Sequence, residues 1–153
     1  METNSRLMRT LKQSVPATFR LFLALNFLLY GLAKLVIGQF GVPSAESVMA
    51  NGEGFGMVWE FFGYSRLYEI FIGVGETAAA ILLLIPRTYT LGAVVFLPII
   101  ANVAMVNYCF NIGVQDLSTV LLIMCLILLW IDRGKLFAVF FQHPAENKKV
   151  TKL

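Results

Sequence analysis

Two ionisable residues, Lys34 and Glu76, lie within otherwise apolar stretches of this sequence, and any chemistry the chain performs has to start from them. A charge at the centre of a bilayer costs about 2.5 to 3.5 kcal/mol on insertion scales, so each requires a partner, a proton or water. Asn26, Tyr30 and Lys34 recur at i, i+4 and i+8 and predict one polar stripe along a helix. Lys34 lies near the end of its stretch, where a lysine can either reach the interface or pair with an acid. Glu69, Gly73 and Glu76 fall on one face of a second helix. At about 1.5 Å per residue, Glu76 lies roughly 15 Å inside its stretch, too deep for a glutamate to reach water. The expected ion pair joins Lys34 to either Glu69 or Glu76.

Further polar residues occupy comparable depths. Asn102 follows Pro98 by one turn, Asn107 and Asn111 come near the end of the same stretch, and Asp116, Ser118 and Thr119 open the next as an expected N-terminal cap. Sorted by depth, these groups predict a polar pocket in one half of a bundle, open at that end and closed by Leu, Ile, Val and Phe at the other. Apolar walls with a few convergent polar groups suit a small ligand such as a quinone or lipid, with Lys34, Glu76 and Asn102 on its headgroup. Cys109 and Cys125 form no CxxC pair, and His143 is the single histidine, so neither a metal nor an inorganic cofactor is expected. With no nucleophile and base in register, an enzymatic role is not indicated.

The elements that must position these groups are helices. The chain has 153 residues, of which 58% are hydrophobic and 14% charged, with a mean hydropathy of +0.76. Soluble domains are about a quarter charged, so a soluble globule is excluded. Four apolar stretches, at about 19–38, 66–86, 90–110 and 116–132, predict an all-α transmembrane four-helix bundle, because backbone groups in lipid must bond within their own segment. The first stretch reads as an uncleaved span rather than a signal peptide. Arg6, Arg9, Lys12, Arg20, Arg87, Arg133 and Lys135 collect at one end, Glu46, Glu53, Glu60 and Asp116 at the other. This asymmetry predicts residence in the cytoplasmic (inner) membrane with both termini cytoplasmic. The net charge of +3 is thereby accounted for without nucleic acid.

Residues 1–18 read as a basic segment suited to a helix at the lipid interface, 19–132 as the membrane domain, and 133–153 as a basic tail expected to be disordered at its end. Between the first two spans, Ser44 to Glu46 read as the start of a short helix and Asn51 to Gly54 as a break. Phe55, Trp59, Phe61, Phe62, Tyr64 and Tyr68 then form an aromatic cluster suited to the headgroup region, able to cover the bundle mouth.

Phe27-Leu-Leu-Tyr-Gly-Leu-Ala-Lys34, Gly73-Val-Gly-Glu76, Leu84-Ile-Pro-Arg87, Leu91-Gly92 and Asn107-Tyr-Cys-Phe-Asn111 occur in an order and spacing that resemble the DoxX-like family of small four-span membrane proteins. The resemblance covers most of residues 18 to 133. It implies a four-helix bundle in the cytoplasmic membrane and a redox-associated accessory role with quinone or lipid binding. Membrane-protein assembly, with a partner membrane protein or a second copy bound, is the alternative, and small-solute transport a weaker one. The chain lacks the paired cysteines of a thiol-transfer member.

Overall fold

The computed structural model describes residues 2–141, with side chains from 14 to 137. His143 and the tail end expected to be disordered lie outside the described residues. All regular elements described are helical: α1 (Glu2–Leu32), extended by a π-helical turn (Ala33–Ile37), α2 (Ala45–Asn51), α3 (Glu53–Gly63), α4 (Arg66–Leu84), α5 (Tyr89–Phe110), α6 (Gln115–Ile131) and α7 (Arg133–Phe141). Three helical segments, Ser14–Ile37, Arg66–Leu84 and Tyr89–Phe110, are long and apolar enough to cross a membrane. The fourth, Gln115–Ile131, has 17 residues and sits at the short end of the spanning range, near 25 Å at about 1.5 Å per residue. Residues on the outer faces include Leu29, Val36, Phe71, Val95, Met105, Ile123 and Trp130, an exposed apolar belt that water would not tolerate.

The basic N-terminal segment and the first span form one helix, continuous through Pro16. The four long helices pack as a ring in which α1 and α5 each touch α4 and α6. Short connections make α4, α5 and α6 successively antiparallel, and α1 runs antiparallel to α4, with Gly31 beside Thr77 and Gly38 beside Glu69. One half of this ring is solid: Leu23 and Ala24 of α1, Ala79, Ala80 and Leu83 of α4, Ala93 and Phe96 of α5, and Cys125 and Leu128 of α6 are all buried. Small side chains permit that approach. A Cβ at Gly92 would stand 2.7 Å from the backbone nitrogen of Leu83, so α5 meets α4 there almost backbone to backbone. Below this core, Asp132 accepts hydrogen bonds from Thr90 (2.8 Å), Tyr89 (3.1 Å) and Lys135 (2.9 Å), tying the start of α5 to the junction of α6 and α7. Its hydrogen bonds to Tyr89 and to Asp132 push the Lys135 ammonium above its ordinary pKa, against a smaller cost of desolvation.

At the opposite end the chain passes through α2 and α3 on its way from α1 to α4, and α3 packs against α4 and α5. Ser44 caps α2 by accepting from Ser47 N–H at 3.2 Å, and Gly52, at φ 95°, turns the chain into α3. The start of α6 differs from expectation. Its capping position is Val114, which offers no side-chain acceptor, whereas the Ser118 and Thr119 hydroxyls donate back to the Gln115 carbonyl at 2.9 and 2.8 Å. Those two residues lie past the capping position, already inside the helix, where a hydroxyl reaches the carbonyl three or four positions earlier rather than a free N–H.

Helices α1 and α4 cross at Gly31 and Gly73. A Cβ on Gly31 would lie 2.5 Å from Thr77 Oγ1 and 3.1 Å from the Gly73 carbonyl oxygen. Gly38, by contrast, is required by its backbone, at φ 84°, where the π-helical turn ends. The small-residue stripe Gly73, Thr77 and Ala80 is therefore used within the bundle. Gly31→Ala is expected to destabilise the detergent-solubilised protein by about 1 to 3 kcal/mol through overpacking. Adding Thr77→Ala should recover part of that loss in thermal unfolding, because the nearest obstacle is a hydroxyl rather than backbone.

Candidate functional site

The Lys34 ammonium meets Glu76 Oε2 at 2.8 Å, and both side chains are buried, with 6% and 3% of their surface exposed. Helix polarity explains the meeting. Side chains tilt toward the N-terminus of their own helix, so Lys34 on α1 and Glu76 on the antiparallel α4 lean toward each other. The Gly31–Gly73 crossing removes the bulk that would hold them apart. Glu76 sits at the centre of α4, far from either helix end, and Lys34 reaches inward rather than toward the interface. Tyr30 and Phe40 flank the ammonium, their ring centroids 5.8 and 5.5 Å away.

Glu69 has a different task. Its Oε1 accepts the backbone N–H of Phe40 at 3.0 Å and that of Gln39, while Oε2 pairs with Arg66 at 2.7 Å. Arg66 also donates to the carbonyls of Lys34 (2.6 Å) and Leu35 (2.7 Å). These carbonyls lie in the last turn before Gly38, where no following N–H bonds them because those of Gln39 and Phe40 go to Glu69. Arg66 and Glu69 thus clamp the segment that presents Lys34. Sequence reasoning missed Arg66, although its i, i+3 spacing to Glu69 was a usable signal.

Beside the ion pair lies a cavity of about 610 Å³. Phe27, Ile100 and Leu121 line it from the solid half of the bundle, and Phe40, Val58, Trp59 and Phe62 line it from the α2–α3 side. The aromatic rings there pack against one another, with Phe40 centroids 5.4 Å from Trp59 and 5.1 Å from Phe62. The expected axial mouth is consequently covered. Phe71 and Val74 of α4, 72% and 53% exposed, also line the cavity with Asn102 of α5, so it reaches the molecular surface on the flank between α4 and α5.

Of the residues singled out from the sequence, Tyr30, Lys34, Glu76, Asn102 and Asn107 line this space, as does Ser118. Glu69 stands apart from it in the clamp. Asn26 is not brought to the site; its amide donates to the Phe22 carbonyl at 2.8 Å. Each i+4 step turns a helix by about 40°, so a stripe of three such residues has rotated by about 80° from Asn26 to Lys34. Gln39 lines the cavity and was not anticipated, because only the chain reversal after Gly38 brings it there. Cys109 is exposed and Cys125 buried, and both are free thiols.

A ring of apolar helices with a lipid-like exterior and a buried ion pair beside an apolar cavity defines a helical membrane protein. The chain is similar to the uncharacterized protein YwoB of Bacillus subtilis (strain 168), with 59% identity over 152 residues that cover 99% of each chain, and it belongs to the same family. No family model matches the chain. No solved structure matches it either.

Breaking a buried pair by removing one partner costs about 3 to 5 kcal/mol, whereas replacing both by neutral groups of similar shape is often close to neutral. Lys34→Met and Glu76→Gln should each lower the stability of the purified protein on that scale, and the double variant should return most of it. Additive losses in the double variant would show that the two residues do not act as a pair.

Proposed function

We propose that this protein is a DoxX-like, four-span protein of the cytoplasmic membrane, acting as a redox-associated accessory protein that holds a quinone or small lipid in its cavity. The observation that carries this reading is the 610 Å³ cavity, apolar along most of its wall and bordered by a buried, internally neutralised Lys34–Glu76 pair. A lipophilic molecule gains from the apolar wall, and the polar groups give it an orientation. Electrons in such a role come from a partner or from the bound molecule itself.

The resemblance motifs support the assignment, since they contain Gly31, Lys34, Gly73, Glu76, Gly92 and Asn107, the residues that form the close crossings, the ion pair and part of the cavity. Orientation with both termini in the cytoplasm is supported by charge: Arg20, Arg87, Arg133 and Lys135 lie at the end opposite α2 and α3, which carry Glu46, Glu53 and Glu60. Arg66, on the α3 side, is neutralised by Glu69.

The test is to purify wild type and Glu76→Gln in mild detergent and identify the retained small molecules and proteins by mass spectrometry. A quinone or lipid kept by wild type and depleted in Glu76→Gln is expected. An empty cavity accompanied by a stoichiometric protein partner in both samples would overturn the proposal in favour of membrane-protein assembly.

A further inference from the structure

Two details of the cavity, taken with the reading above, specify what it holds. The first is Asn107, which is 4% exposed. Its Nδ2 donates to the Val103 carbonyl at 2.8 Å, which fixes the amide orientation, and its Oδ1 is buried with no hydrogen-bond partner. Buried polar atoms in native proteins are almost always satisfied, and leaving one bare is costly. Gln39, also on the cavity wall, carries a second buried oxygen without a partner. The Asn107 oxygen, fixed by the bond its own amide nitrogen makes, is the acceptor that defines the site. The Ser118 hydroxyl, also on the cavity wall, donates to the Gln115 carbonyl, and Lys34 and Glu76 neutralise each other's charge, so the site calls for a donor at Asn107 and for no net charge.

The second detail is Gly75. A glycine within a helix is less favourable than alanine, by about 1 kcal/mol, and is usually explained by close packing or a positive φ. Gly31, Gly73 and Gly92 fit that explanation, each with a neighbour at 3.0 Å or less from a built Cβ. Gly75 does not, because its Cβ would meet only Ile99 Cδ1, at 3.9 Å. It lines the cavity on the α4 side, on the same helix as the exposed Phe71 and Val74. Packing therefore does not require glycine here, and what the missing side chain preserves is free volume.

We propose that the cavity takes an uncharged lipophile whose polar end carries an O–H group, an alcohol, phenol or hydroquinone, donating to Asn107 Oδ1, while its hydrocarbon body lies over Gly75 and extends between α4 and α5 into the bilayer. Asn107 is three residues from the end of α5, so the polar end sits toward the membrane surface and the hydrocarbon points inward. Acceptor-only analogues leave Asn107 unsatisfied and bind less well. This rests on the ligand-holding role proposed above and narrows it to hydroxyl-bearing lipophiles, so that of a quinone couple the cavity favours the hydroquinone over the acceptor-only quinone.

Trp59 lines the cavity, and Trp130 is 70% exposed near the end of α6, so Trp130→Phe leaves a single reporter at the site. Para-octylphenol and its methyl ether, para-octylanisole, differ by one hydrogen-bond donor at nearly constant size. In detergent-solubilised Trp130→Phe protein, titration of Trp59 fluorescence should show the phenol binding about tenfold more tightly or better, the scale of one buried hydrogen bond. Asn107→Leu should erase that preference, and Gly75→Leu should weaken both probes. Equal affinities for phenol and ether in the otherwise unaltered cavity would overturn the donor requirement while leaving an apolar ligand site standing. Binding of neither probe, by fluorescence and by thermal protection, would overturn the ligand-holding role and this inference together. The comparison of the two probes needs only the single-tryptophan protein, so it decides the matter even if Asn107→Leu fails to fold.

Discussion

The ion pair between Lys34 and Glu76 is the constraint around which this bundle is arranged. Two charges removed from water in the middle of an apolar helix ring recover their desolvation cost only at close range and in good geometry. That requirement reaches outward through the structure. It demands that α1 and α4 run antiparallel, so that their side chains lean together, and that the helices approach at Gly31 and Gly73. It also demands a fixed presentation of Lys34, which the π-helical turn and the Arg66–Glu69 clamp supply from the adjoining end.

The two halves of the ring solve different physical problems. Alanines and Gly92 close the half near Arg87 into a packed core, and the hydrogen bonds converging on Asp132 tie its end together. In the other half the polar groups cannot be packed as tightly, and a roof of aromatic side chains from α3 and the preceding loop spans the gap. The result is an asymmetric bundle, solid at one end and hollow at the other. A cavity is tolerated in such a frame because the solid half carries the packing energy, while the hollow half supplies volume and a few oriented polar atoms. The exposed flank between α4 and α5 opens the hollow half sideways, across apolar helix faces.

Much of this was legible from the amino-acid sequence. Long apolar stretches mark the helices, because hydropathy over twenty residues is a local property that needs no knowledge of neighbours. The depth of Glu76 made it a residue requiring a partner, and the choice between Glu69 and Glu76 turned on how two helices cross. That choice was beyond periodicity, since Glu69 and Glu76 share a face and differ only in height along it. The same reason removed Asn26 from the site: a stripe at i, i+4, i+8 looks straight in a sequence and winds around a real helix.

The sequence by itself determined the class of molecule, the number and approximate limits of its apolar segments and the short list of polar residues inside them, all of which depend on local composition and on the cost of placing polar groups in lipid. Only the tertiary structure decided that Glu76 takes Lys34 while Glu69 takes Arg66 and the backbone of the turn. It alone decided that α3 roofs the cavity, that Asn107 holds out an unpaired oxygen and that Gly75 keeps space open. Those outcomes depend on helix crossing, rotation and chain reversal, which bring residues distant in sequence to within a few ångströms of each other, and no pattern along a single helix records them.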